Sequence, residues 1–207
     1  MTLPTRFAGW VFLEMGMSLK LHTAPNPATL AVSLAEARAH LRLNSNDTSE
    51  DAKITSLILA ATEDAEHVMR RAILPQKWQL TLDAFDRMEP LWLRRPKVTA
   101  VDWVKYIDQQ GTLQTLDPAQ YRVVLDDYAC TVFPVSVWPR TGVHPESVQV
   151  VFSTGWATPA DVPHNIKAWI LLYVGTFFAN RELEAQVAQP FYRLGQADRL
   201  LDRYRSF

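Results

Sequence analysis

Gln76-Lys-Trp-Gln-Leu-Thr-Leu-Asp83 decides the fold, because the hydrophobic period changes there. Trp78, Leu80 and Leu82 alternate with Gln79, Thr81 and Asp83, the two-residue repeat of a half-buried strand. Just upstream the repeat is helical. Ile54, Leu57, Ile58, Ala61, Ala65, Val68 and Met69 recur at three- and four-residue steps and predict one apolar helix face. A chain that leaves the helical period here and returns to it later is α+β, with helices segregated in sequence from the sheet.

Working outward, residues 33–73 read as an N-terminal antiparallel helix pair. Ser33-Leu-Ala-Glu36 is a capping box, in which the Ser hydroxyl accepts from the N3 amide and Glu36 reaches back. Leu34, Ala37 and Leu41 then share a face, and Asn44-Ser-Asn-Asp-Thr-Ser49 breaks the chain. In the second helix Glu50 and Asp51 fall in the first turn and Arg70 and Arg71 in the last, both complementing the helix dipole.

Residues 76–156 predict a central antiparallel sheet. Val98–Ile107, Thr112–Leu116, Tyr121–Leu125, Tyr128–Phe133 and a last strand from Val148 that ends at Gly155 are strand-like, with turns at Asp108-Gln-Gln-Gly111, Asp117-Pro118 and Asp126-Asp127. Residues 162–207 return to helix. Pro163 suits a first helical turn, and Ile166–Asn180 is apolar on almost every side. This long apolar helix has to be covered all round, by its own domain or by a neighbouring subunit. A short amphipathic tail helix follows Pro190, with Ala197, Leu200, Leu201 and Tyr204 on one face.

Bulk properties narrow the function. Of the 207 residues 21 are basic and 22 acidic, a balance unlike the clearly basic surface of a general nucleic-acid binder. Cys130 is the single cysteine, so neither an intrachain disulfide nor a cysteine zinc site can form, and a reducing compartment is the natural setting. The apolar run Ala168–Ala179 is bounded by Lys167 and Arg181 and is far short of the ~20 residues of a membrane helix. The N-terminal stretch Arg6 to Leu13 faintly resembles a signal peptide, but Glu14 interrupts it and no small-residue cleavage site follows.

Catalytic patterns are missing. The seven glycines, at 9, 16, 111, 142, 155, 175 and 195, never cluster as a phosphate-cradling loop needs. His22, His40, His67, His144 and His164 are scattered, with no pair one helical turn apart as a metal site on a helix requires. Ser153-Thr-Gly155 lacks the glycine two positions ahead of a nucleophilic serine. The oxygen-rich run from Asn44 has Ser49 where a calcium loop needs glycine. No catalytic, cofactor or metal residues are expected. Arg94, Arg95 and Lys97 form a basic edge, readable as a solvated strand edge or as a contact for phosphate or an acidic partner.

The order of segments resembles the head–tail connector (adaptor) family of tailed bacteriophages, in its siphophage and prophage branch. The similarity is carried by Met17-Ser-Leu-Lys20, Ser33-Leu-Ala-Glu-Ala-Arg-Ala-His-Leu-Arg42, Arg71-Ala-Ile73, Gln76–Asp83, Leu93-Arg-Arg-Pro96, Asp117–Val123, Val150–Trp156, Val162–Leu172 and Asn180-Arg-Glu182. It spans residues 17–207 as one connector domain and leaves 1–16 as an N-terminal extension. The resemblance implies a non-enzymatic homo-oligomeric ring, commonly twelve-fold, beneath the portal protein. Such a ring extends the DNA channel, with DNA only as passing cargo, and offers a platform to a stopper or tail-completion protein. Its place is the virion neck, reached from the host cytoplasm during assembly, with no membrane and no cofactor.

On this reading Trp169, Tyr173, Phe177 and Phe178 are expected at a subunit interface. Arg199, Leu200, Leu201, Arg203 and Tyr204, in a tail of net positive charge, are expected to dock on the portal. The apolar stripe of that tail could equally fold back on its own domain. Another neck role, stopper or tail completion, is the alternative within the same class, and a small hydrolase or nuclease is the alternative outside it.

Overall fold

The computed structural model describes residues 16–44, 48–95, 97–127, 130–179 and 194–206. The expected extension at 1–16 lies outside these apart from Gly16, as do Tyr128, Asn180–Glu182 and Pro190.

Among the described residues, three α-helices and eight strands form an α+β fold whose strands pair antiparallel throughout. The first helix, α1 (Leu34–His40), starts on the capping box: Ser33 Oγ accepts from Glu36 N at 3.2 Å, and Glu36 Oε2 accepts from Ser33 N at 2.8 Å. Those bonds hold the Glu36 carboxyl below its ordinary range. Across the 41–50 connection, Arg38 Nε donates to Asp51 Oδ1 at 2.8 Å, which ties α1 to the start of α2 (Asp51–Met69).

The apolar face of α2 meets α3 (His164–Ala179). Ile54, Ile58, Ala61, Ala65 and Met69 are buried together with Ile166, Trp169, Ile170 and Val174, and Val32 and Ala37 close the cluster. The expected pairing of Arg70 and Arg71 with the α2 dipole needs correction. The helix stops at Met69, and Arg70 caps it in the left-handed region at φ 54°. Arg71 then turns inward, 2% exposed, and donates to the Asp127 carbonyl oxygen. Its charge fastens helix to sheet.

The strands form two sheets where the sequence predicted one. A five-stranded sheet has the order β1-β2-β8-β4-β5, from β1 (Met17–Thr23), β2 (Gln76–Leu82), β8 (Val148–Thr154), β4 (Val98–Ile107) and β5 (Leu113–Thr115). A three-stranded sheet has the order β3-β7-β6, from β3 (Leu91–Leu93), β7 (Cys130–Pro134) and β6 (Tyr121–Leu125). The physical reason is burial. The helices pack among themselves, so the inner face of the large sheet needs another cover. Leu80, Val104, Val148, Val150 and Phe152 of the large sheet share a core with Leu91, Leu93, Tyr121, Cys130 and Val132 of the small one.

The helical and sheet cores meet where β2 begins and β8 ends. Trp156 N donates to Ile73 O at 2.9 Å, and Gly155 N to Lys97 O at 3.0 Å. Glu66, on the last turns of α2, accepts from Ile73 N at 2.6 Å and from Gln76 Nε2 at 2.7 Å. No helix among the described residues is long and apolar enough to cross a membrane.

The tail takes a different form from the one expected. It makes 3-10 turns, Leu194–Leu200 and Asp202–Tyr204, with i to i+3 bonds such as Tyr204 N to Leu201 O at 2.8 Å. A segment this short cannot nucleate an α-helix by itself, and tertiary anchors set its path. Trp169 Nε1 donates to Asp198 Oδ1 at 3.0 Å, and Ser206 N donates to Met69 O at 3.0 Å.

Candidate interaction surfaces

Cys130 and Asp127 are used structurally. Cys130 is 1% exposed, and burial pushes its thiol up to about 11, so it stays a protonated, unreactive thiol near neutrality. Asp127 is a turn residue whose carboxylate meets Lys97 Nζ at 3.2 Å. No group of three or more His, Cys, Asp or Glu placed to hold a metal occurs among the described residues.

The predicted basic edge is split up. Arg94 is exposed. Arg95 lies with its guanidinium 4.3 Å over the Trp78 ring and 4.0 Å from the Glu66 carboxylate. Lys97, besides its pair with Asp127, stands 5.8 Å over the Trp156 ring. Arg95 therefore joins sheet to helix, Lys97 joins the β6–β7 turn to the end of β8, and Arg94 keeps the character of a solvated edge.

The four aromatics of α3 differ in their surroundings, although Trp169, Tyr173 and Phe177 follow one another in ring contact, Trp169 to Tyr173 at 5.5 Å. Trp169 is 2% exposed and belongs to the helical core. Its indole N–H bond to Asp198 holds the tail against that side of the helix. Tyr173 stacks on Phe177 at 4.3 Å, and Phe178 lies 4.7 Å below Lys53 Nζ. Burial, then a hydrogen bond to Asp64, pushes the Tyr173 phenol up to about 12. The helix is covered by α1, α2 and the tail, which is why, among its described large apolar side chains, only Leu172 is strongly exposed.

The tail stripe is likewise consumed at home. Leu201 is fully buried, and Ala197, Leu200 and Tyr204 pack on the helical core. Tyr204 also meets Trp156 edge-on at 6.4 Å. Leu201 is thus committed to the core and Leu200 and Tyr204 lie half-buried against it, while Arg199 and Arg203 are on the surface.

Exposed apolar surface gathers at a place the sequence reading missed, the outer face of the three-stranded sheet. Trp92 is 57% exposed, Val124 54% and Phe133 40%. The strand alternation that would reveal such a face is hidden, because Leu91-Trp-Leu93 and Val132-Phe133 are apolar on both sides.

No protein-family model matches the chain, and no curated protein matches it by sequence. Solved structures do match in fold. A chain in the neck of an empty gene transfer agent (GTA) particle, computed with C6 symmetry, superposes with a TM-score of 0.75 at 24% identity, covering 92% of this chain and 96% of that one. A chain of the virion of a native GTA particle gives 0.73 at 22% identity, over 91% and 95%. A chain from the neck of a native GTA particle computed with C12 symmetry gives 0.71 at 20% identity, over 92% and 96%. The fold is shared along almost the whole of each chain.

Proposed function

We propose that the chain is a structural head–tail connector (adaptor), one copy of a homo-oligomeric ring in the neck of a tailed phage or phage-like particle. The observation that carries this reading is the likeness in fold to neck chains over 92% of this chain and 96% of those. It agrees with the order of motifs from Met17 to Glu182. C6 and C12 symmetry in the two necks are both compatible with a twelve-fold ring.

In this role the chain performs no reaction. The ring sits beneath the portal, continues the DNA channel, and gives the stopper or tail-completion protein a platform. DNA is passing cargo, and assembly takes place in the host cytoplasm. A copy that works by contact needs a rigid frame and specific surfaces. The joint around Glu66, Arg71, Arg95 and Trp156 supplies the rigidity between the two cores.

The test is electron microscopy of the purified chain with its portal protein. A ring coaxial with the portal supports the connector, whereas a ring that binds only to an already assembled connector identifies a stopper. A chain that stays monomeric beside the portal and hydrolyses nucleic acid would overturn both in favour of the enzyme.

A further inference from the structure

The helical layer covers its own apolar side chains, but the small sheet does not. Its register places Trp92 of β3 and Val124 of β6 on either side of Thr131 of β7. Direct cross-strand partners project from the same face. One alternation further along β7, Phe133 sits opposite Arg122, and Val135, 52% exposed, continues the stripe. Between these positions Leu91, Leu93, Cys130 and Val132 point inward and are buried. Single exposed apolar residues are ordinary on a protein surface. A contiguous stripe centred on Trp92 and Phe133 is the kind of surface that calls for a partner.

We propose that this outer face is where the next copy of the chain seats in the ring. The inference rests on the ring reading above and names the surface that builds it. Size is the first argument. Half-exposed side chains of this number offer a few hundred Å² at most, short of the roughly 800 Å² per partner in a stable independent complex. A closed ring tolerates a small contact, because each copy is held by two neighbours through one repeated head-to-tail interface.

Charge is the second argument. Arg94 and Arg122 rim the stripe, and neither has an acidic partner of its own chain among the described residues. A second copy supplies exposed carboxylates, such as Glu63 on α2 and Glu89 ahead of β3. Duplex DNA would attract the arginines yet present no apolar surface to the stripe between them. Trp, Phe and Arg together are also the composition of an interface centre.

The experiment compares the full chain with Trp92→Ser/Phe133→Ser, measuring mass in solution by native mass spectrometry, with and without portal, and the melting temperature. Expected is a wild-type ring and a variant that melts within a few degrees of it. The concentration at which the variant assembles should rise about tenfold or more, the effect of losing an aromatic anchor. Hydroxyl-radical footprinting of the wild type checks the same point without a variant: Trp92 and Phe133 should become protected on assembly. A wild type that forms rings while the variant assembles equally well, or the two side chains stay reactive in the ring, overturns the inference and spares the ring reading. An intact variant ring that no longer binds another neck protein also overturns it, assigning the face to that protein. A wild type that never assembles, even on the portal, overturns both.

Discussion

The backbone N–H of Ser206 donates to the carbonyl oxygen of Met69 at 3.0 Å, so the described end of the chain sits on the C-terminal end of α2. Its hydroxyl adds a contact to Arg70 O at 3.2 Å. Helix carbonyls that lack intrahelical partners are satisfied in this way. Between this anchor and the Trp169–Asp198 bond, Leu201 is fully buried in the helical core. The tail is part of the fold.

Removing Gly195–Phe207 should therefore destabilise the monomer and not merely abolish docking. Leu201→Ala alone is expected to cost about 2–5 kcal/mol, since it empties a site in a packed core. A thermal melt reads this as a drop of roughly 4 °C or more for a chain of this size. A truncated chain that melts with the full one would show that the tail is dispensable to the fold.

Portal docking, if the tail performs it, then falls to the surface arginines. Arg199→Glu/Arg203→Glu should leave the melting temperature within about 2 °C, as surface substitutions do. The same pair should weaken portal binding several-fold at low salt and less at high salt, where screening already suppresses the wild-type attraction. Binding that is unchanged at every salt concentration would remove these residues from the contact.

Much of this fold can be read from periodicity, and the limits are equally physical. Val98–Ile107 and Ser33-Leu-Ala-Glu36 carry local signals that need no partner. Nothing local reveals that Arg71 and Arg95 bury their charges against Asp127 and Glu66, because those partners lie far off in sequence. Nor does an all-round apolar helix say what covers it. In α3 the cover is the chain's own tail and helices, and the exposed apolar stripe lies on the small sheet instead.

A core aromatic and a surface apolar residue on the same helix should behave differently. Trp169→Ala is expected to cost about 3–5 kcal/mol, the range for emptying a buried aromatic site. Leu172→Ser, at a position 42% exposed on α3, should stay within about 1 kcal/mol. Urea unfolding of the two variants measures both. Equal losses would mean that Leu172 is as deeply packed as Trp169.

Glu66 gives the chain a component of stability that depends on pH. Burial raises its carboxyl above the ordinary value of 4.5, opposed by hydrogen bonds from Ile73 and Gln76 and by the Arg95 charge. For a carboxyl raised in the folded state, the contribution is fully present below the unfolded value. It is lost as pH rises through the folded value, because the unfolded chain gives up its proton first. Glu66→Gln retains an oxygen for Ile73 N–H and cannot ionise. The wild type should therefore lose stability relative to this variant as pH rises above the ordinary carboxyl value of 4.5 toward neutrality. Parallel melts across that range test it, and a difference that stays flat would mean that Glu66 ionises as it does in the unfolded chain.

Two glycines with positive φ separate backbone strain from steric exclusion. Gly111 has φ +82° in the β4–β5 turn, and a Cβ there would meet nothing within 4 Å. Gly155 has φ +99° at the joint between the two cores, where a Cβ would lie 2.3 Å from the Leu74 carbonyl oxygen. That carbonyl belongs to the backbone entering β2, so it cannot move without disturbing the Trp156–Ile73 bond beside it. Gly111→Ala should cost about 1 kcal/mol, the penalty of a left-handed backbone alone. Gly155→Ala should cost clearly more, about 3 kcal/mol or above, because overpacking is added to strain. Denaturant melts of the two variants give the comparison directly. Equal losses would mean that the Leu74 backbone yields freely and that the joint is softer than its hydrogen bonds imply.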